Sequence, residues 1–216
     1  KAALEIPLGG DVVDALHDGG AGDIRLAEGR IQLQSLLGCL QCLRQRAALP
    51  QGKADALPIG GIGRIQTNKI REFALFVHLV HSVDRVDVLT VLQKEALRAG
   101  RTIDILLQVH IAQEETKAGF SPEEVLGLCA VNVLNEYPNL RVVGLMGMAS
   151  LTEDRNQIRS EFARLASLYR AAQEQLGVGQ ITVLSMGMSG DYDLALAEGG
   201  NHIRVGSLLF GARSNQ

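Results

Sequence analysis

Two short stretches near the end of the chain bring together residue types that can do chemistry. The first is Ser185-Met186-Gly187-Met188-Ser189-Gly190-Asp191, and the second is Arg204-Val205-Gly206-Ser207. Each follows an apolar run, Ile181 to Leu184 and Ile203 to Val205, and each ends in small residues with free backbone N–H groups. Glycine lets a backbone approach a ligand closely, and serine hydroxyls add donors. Arg204 supplies a fixed positive charge beside the second turn. A short helical pattern, Tyr192 to Glu198, lies between the two and stops at Gly199-Gly200. Strand, turn, helix, strand, turn is how an α/β barrel holds a phosphate in the loops after its seventh and eighth strands. Either segment alone reads as a buried strand with an ordinary turn. The pair reads as an anion site.

The elements that position these turns alternate along the chain. Leu140 to Met148 predicts a strand and Glu153 to Leu176 a long amphipathic helix. Ile103 to Ile111 is a nearly continuous apolar strand, as in a parallel sheet covered on both faces. Between these, Gln113 to Phe120 is a charged loop, and Ser121-Pro122-Glu123-Glu124 opens a helix with an N-cap serine, proline at N1 and glutamate at N3, a capping box. Asp84 to Ala99 predicts a helix capped by Asp84 and stopped by Gly100, after a strand over Val77 to Val83. A helix from Lys69 to Phe76 has Thr67 or Asn68 as its cap; Asn68-Lys69, Lys117 and the Gln66 loop read as solvated loop positions in preference to a partner surface. Leu57 to Gly63 predicts a buried strand with a heavy glycine load. Arg30 to Arg46 carries a helical stripe, Asp23 to Leu26 a brief strand, and Asp11 to Asp18 a helix capped by Asp11 and ended by Gly19-Gly20. Lys1 to Ile6 is short, with Pro7 closing it. From Asp23 onward about seven strands alternate with helices, the pattern of parallel βα units, so an eighth is expected at or before Lys1.

Composition bounds the answer. With 216 residues, 46% of them hydrophobic, a net charge of −3 and a pI near 6.0, the chain suits one soluble domain over residues 1–216, at the small end for an eight-stranded barrel. No basic face is evident, which argues against nucleic acid as a partner. No apolar run approaches the roughly 18 residues of a membrane span, and no secretory leader is visible. Three cysteines fit a reducing compartment, so the expected setting is cytoplasmic. Cys39 and Cys42 share one face of a predicted helix and read as small core hydrophobes. His78 and His81, three apart on a strand, face opposite sides. No metal site is expected.

The motifs carry a resemblance. Ile62-Gly63-Arg64-Ile65-Gln66-Thr67-Asn68-Lys69, His81-Ser82-Val83-Asp84, the Lys117-x-Gly119-Phe120 of the charged loop, Leu184 to Asp191, and Arg204 through Arg213 are similar, in this order, to the pyridoxal phosphate homeostasis protein family. The resemblance is dense from about Ile62 to Arg213. It implies a single (β/α)8 TIM-type barrel like the N-terminal barrel domain of bacterial alanine racemase, without the racemase's second domain, and pyridoxal 5′-phosphate (PLP) as cofactor. Ser189, Gly206 and Ser207 match the family's phosphate-binding positions, and Arg204 matches the arginine facing the pyridine nitrogen. A guanidinium there donates and never accepts, so it leaves the ring nitrogen unprotonated and the ring a poor electron sink. That suits a monomeric carrier handing PLP to PLP-dependent apoenzymes, with no catalytic residue assigned.

The N-terminal third departs from the pattern. The family's Schiff-base lysine ends the first strand shortly before a proline. Pro7 matches that proline, but Leu4 stands where strict spacing places the lysine, and Lys1 is the one lysine before Lys53. Lys1 is either the PLP lysine, displaced by a small insertion, or a solvated terminal residue. The family's Gly-Glu-Asn reads Ala27-Glu28-Gly29, and its Trp-His-Phe reads Ile59-Gly60-Gly61. Beside the carrier stand two other function classes. One is a racemase-like PLP enzyme, with Tyr192 as the tyrosine nearest the site in sequence. The other is a degenerate member that binds phosphate ligands without a Schiff base.

Overall fold

Two Gly- and turn-punctuated segments open the chain as hairpins. The computed structural model describes residues 4–8, 11–15, 23–26, 29–32, 64–114, 117–130 and 135–207. It divides into two compact units, Lys1–Ala56 and Leu57–Gln216. In the first unit, β1 (Leu4–Leu8) pairs antiparallel with β2 (Asp11–Ala15), and β3 (Asp23–Leu26) with β4 (Gly29–Gln32). The expected helix from Asp11 is therefore a strand over Asp11–Ala15. Leu8 pairs with Asp11, leaving Gly9-Gly10 between them, and a two-residue Gly-Gly connection is a strong hairpin signal that outweighs an aspartate cap. Adjacent β-branched Val12 and Val13 push the same way. Pro7 lies within β1 opposite Val12, tolerated because a two-stranded sheet is all edge. The strand at Asp23 exists, but its partner is the antiparallel β4, which takes the first residues assigned to the Arg30 helix. Lys1, the Cys39 and Cys42 pair, the remainder of that helical stripe and the Leu57 to Gly63 strand lie outside the described residues.

The second unit is built on one parallel sheet. Its strands are β5 (Leu79–Val83), β6 (Ile103–Val109), β7 (Leu140–Gly147), β8 (Val183–Met188) and β9 (His202–Arg204), neighbours in sequence order. An unreversed order of parallel strands joined through helices is the arrangement of a βα half-barrel. A doubly wound sheet would reverse its order partway across. A 3-10 turn (Thr67–Lys69) and α1 (Ile70–Phe73) precede β5. The connecting helices are α2 (Val86–Arg98), α3 (Pro122–Cys129), α4 (Arg155–Leu176) and α5 (Tyr192–Ala197). No helix among the described residues is long and apolar enough to cross a membrane.

Local chemistry explains the boundaries. At α3 both halves of the expected capping box form: Glu124 N–H donates to Ser121 Oγ at 3.2 Å, and Ser121 N–H donates to Glu124 Oε2 at 2.8 Å. Asp154 caps α4 by accepting from Asn156 N at 2.9 Å and Gln157 N at 3.3 Å. Asp84 caps nothing. Its carboxylate is buried and paired with Arg85 Nη1 at 2.6 Å and Arg64 Nε at 3.2 Å, and α2 starts instead from Arg85 without a side-chain cap. The wet face of α4 carries most of its polar residues, Glu161 excepted, while Ile158, Phe162, Leu165, Ala166 and Ala172 recur at helical spacing and bury in the core against β7 and β8. Cys129 is buried in α3, where burial pushes its thiol up to about 11, as suits a small hydrophobe.

Phe162 is fully buried at the centre of this packing. Replacing it with alanine is expected to destabilise the unit by about 3–5 kcal/mol in chemical denaturation. The exposed Arg170→Ala on the same helix should change stability by less than about 0.5 kcal/mol.

Candidate functional site

Arg204 is the last residue of β9, and its side chain reaches back across β8 to the carboxyl end of β7. Nη1 donates to Ser185 O at 3.0 Å and to Ser185 Oγ at 2.8 Å, both on β8. Nη2 donates to Gly147 O on β7 at 2.9 Å. Nε is buried and has no acceptor among the described residues. A guanidinium is donor-only, so Nε–H is a desolvated donor of fixed orientation without an acceptor among the described residues. Burial pushes the Arg204 guanidinium down to about 10, opposed by the Asp191 carboxylate, and it remains a cation at neutral pH.

Ser185 is not in a turn. The sequence reading placed it at the start of the glycine-serine turn, but β8 continues to Met188 and Ser185 is fully buried within it. This leaves Ser189-Gly190-Asp191 as the turn proper. Asp191 Oδ1 accepts from Met188 N, which closes it. Gly187 sits at φ 87°, and a Cβ there would lie 2.6 Å from Ala195 Cβ, so α5 packs against β8 only because this residue is glycine.

The two predicted turns converge. Gly206 N–H donates to Ser189 Oγ at 3.2 Å, so the post-β8 and post-β9 segments meet. A Cβ added at Gly206 would meet no atom within 4 Å, so open space adjoins that pair. Ser207 follows and is exposed. Thus four of the five expected site residues, Ser189, Arg204, Gly206 and Ser207, lie at one end of the sheet; Lys1, the fifth, lies outside the described residues.

Sequence reasoning missed His81. On β5, its Nδ1 lies 3.3 Å from Ser185 Oγ. Burial, then the Arg204 charge, then His202 hold its imidazole down at about 4, so it is neutral at pH 7. The sequence reading placed His81 in a family-like motif and weighed it as a metal partner of His78, but nothing local linked it to Ser185; His78 is exposed just before β5. His202 is likewise lowered, chiefly by burial. Tyr137 is buried in the core, Tyr169 donates to Ile181 O at 3.1 Å, and Tyr192 is half-buried at the start of α5.

The Gln113–Phe120 segment is more structured than a charged loop. Phe120 N donates to Gln108 O at 2.8 Å and His110 N to Phe120 O at 2.9 Å, which folds the segment back on the end of β6. Gly119, at φ 149°, passes so close that a Cβ would lie 2.5 Å from His110 N. Lys117 is not a solvated position: its Nζ donates to Ala149 O at 2.6 Å and pairs with Glu114 at 3.4 Å. Gln113 N donates to Ser150 Oγ at 3.0 Å. Ser150 in turn donates from its N at 2.6 Å and its Oγ at 2.7 Å to the fully buried Glu161 of α4. These bonds hold the post-β6 and post-β7 loops together at the end of the sheet that carries Arg204.

Comparison with known proteins agrees with this layout. The family model of the alanine racemase N-terminal domain matches residues 17–214. The chain is 38% identical over 152 residues to the pyridoxal phosphate homeostasis protein of Aquifex aeolicus, covering 70% of this chain and 65% of that protein. It is 36% identical over 171 residues to the protein of the same name from Pseudomonas aeruginosa, covering 78% of this chain and 71% of that one. Among solved structures, PipY of Synechococcus elongatus with PLP bound superposes with a TM-score of 0.60 at 32% identity, over 69% of this chain and 68% of PipY. The chain thus spans about two thirds of the length of these relatives. It belongs to the alanine racemase N-terminal domain family and, within it, to the pyridoxal phosphate homeostasis proteins.

Proposed function

We propose that this chain binds PLP and serves its homeostasis in the cell, as a carrier or buffer more than as a catalyst. The observation that supports this most is the buried Nε–H of Arg204, which meets no acceptor among the described residues. A buried donor without an acceptor is destabilising by about 1–3 kcal/mol, and a ligand acceptor such as a pyridine nitrogen removes that penalty. The residues present fit the cofactor. Ser189, Gly206 and Ser207 would hold the phosphate, and Arg204 would face the ring nitrogen. PLP, when bound, supplies an electrophilic aldehyde and an aromatic ring that can withdraw electrons. Arg204 restrains the second property: it cannot accept a proton from the ring nitrogen, and its own charge disfavours protonation there. Neutral His81 and His202 add no competing cation beside it.

The same reading takes the chain as one domain whose sheet closes into a full (β/α)8 barrel, the half-barrel order of β5 to β9 being what supports it. It takes the protein as a cytoplasmic monomer that passes PLP to apoenzymes, an expectation drawn from composition and family resemblance. Lys1 is the proposed covalent partner of the aldehyde. A chain that keeps only the anion half of the site is the competing reading, motivated by Leu4 at the strict lysine position. Borohydride treatment of the PLP-loaded protein followed by peptide mapping separates them. A pyridoxyl group on Lys1 is expected, and PLP recovered without any labelled lysine would favour the competing reading.

Two substitutions separate the halves of the site. Ser189→Ala is expected to weaken PLP and inorganic phosphate in parallel, by roughly tenfold to a hundredfold, the worth of one hydrogen bond to an anion of about 1.5–3 kcal/mol. Arg204→Gln is expected to weaken PLP by roughly tenfold to a hundredfold, from a charged hydrogen bond of about 1.5–3 kcal/mol, while phosphate affinity changes much less. Isothermal titration with each ligand checks both.

A further inference from the structure

We propose that His81 is a positioning residue for ring recognition, acting through Ser185 to fix the guanidinium of Arg204; the inference rests on the PLP reading above. The hydrogen bonds run in one direction, and Arg204 sets it. A guanidinium can only donate, so the 2.8 Å contact makes Ser185 Oγ the acceptor. Ser185 is fully buried, and its hydroxyl proton needs an acceptor of its own. Among the described residues the hydroxyl has two hydrogen-bond neighbours, Arg204 Nη1 and His81 Nδ1. Ser185 therefore donates to Nδ1, and the imidazole proton sits on Nε2.

The alternative arrangements fail on the same geometry. A protonated His81 would donate from Nδ1, leave the Ser185 proton without an acceptor, and set a second positive charge beside Arg204. The low proton affinity of His81, near 4, is the electrostatic side of that conflict. With His81 neutral, the guanidinium is anchored by three acceptors, Ser185 O, Ser185 Oγ and Gly147 O, and Nε is held in the direction it offers to a ring acceptor. Without the imidazole, the Ser185 hydroxyl turns to satisfy its own proton and one of the three anchors is lost.

The test has two arms. In the first, 15N-histidine NMR of the ligand-free wild type should show His81 at pH 7 as a neutral imidazole with Nδ1 unprotonated. A proton on Nδ1, or a cation, overturns the proposal. In the second, His81→Leu should weaken PLP by about tenfold with inorganic phosphate affinity unchanged. His81→Asn, whose carbonyl supplies an acceptor near the Nδ1 position, should recover most of the loss, and Ser185→Ala combined with His81→Leu should be no worse than either alone. Unchanged PLP affinity in His81→Leu, a parallel fall in phosphate affinity, or additive effects of the two substitutions each overturn it. Should the wild type bind no PLP, the proposed function fails, while the NMR arm still decides the direction of the hydrogen bonds.

Discussion

The site depends on one desolvated cation. Arg204 reaches across β8 to the carboxyl end of β7, bonded to two main-chain carbonyls and a serine hydroxyl. Taking a guanidinium out of water is unfavourable unless its donors are met, and here three of its five N–H groups are aimed at acceptors on the strands of the sheet, with Nε buried and meeting none among the described residues. Gly147 is the last residue of β7, and Ser185 lies inside β8 where the ladder to β9 shifts register between Ser185 and Met188, so both carbonyls are within reach of the guanidinium. Asp191 stands near enough to offset part of the burial and, by closing the turn on Met188, sets the path of the Ser189 turn as well. One carboxylate thus serves the charge at one end of the site and the donors at the other.

The loops around this end are held by interactions of the same kind. Lys117, Gln113 and Ser150 tie the segment after β6 to the segment after β7, and the buried Glu161 draws Ser150 onto α4. Among the described residues no cation pairs with Glu161; it is satisfied by Ser150 N, Ser150 Oγ and Gln157 Nε2 at 3.1 Å. A backbone N–H and two side-chain donors on one carboxylate make a directional clamp, and such a clamp fixes loop geometry more sharply than a surface ion pair. The exposed Arg155–Asp193 and Arg159–Glu198 pairs, which join α4 to α5, add less.

Much of the carboxyl-terminal unit is legible in the sequence because its signals are local. Continuous apolar runs mark β6, β7 and β8, a capping box marks α3, and a helical stripe marks α4. The convergence of the two small-residue turns is legible for a similar reason: Ser189, Gly206 and Ser207 directly follow strands, and Arg204 ends one. What local patterns do not carry is partner choice. Asp84 has the residue type of a helix cap, yet two arginines claim it. Lys117 looks like a solvated cation, yet it binds a carbonyl 32 residues away. His81 and Ser185 are 104 residues apart and two strands lie between theirs in the sheet, so their contact comes from the curvature of the sheet, which no local pattern encodes. At the amino-terminal end, hairpin chemistry at Gly9-Gly10 prevailed over a helix-cap reading of Asp11.

The most direct test of the account is a titration of the wild-type protein with PLP, followed by absorbance, with inorganic phosphate as competitor. The account predicts saturable binding of one PLP per chain that phosphate displaces. It also predicts that pyridoxal, which lacks the phosphate, binds far more weakly but still senses Arg204. Failure of PLP to saturate, or saturation that neither phosphate nor substitution at Arg204 affects, would contradict it.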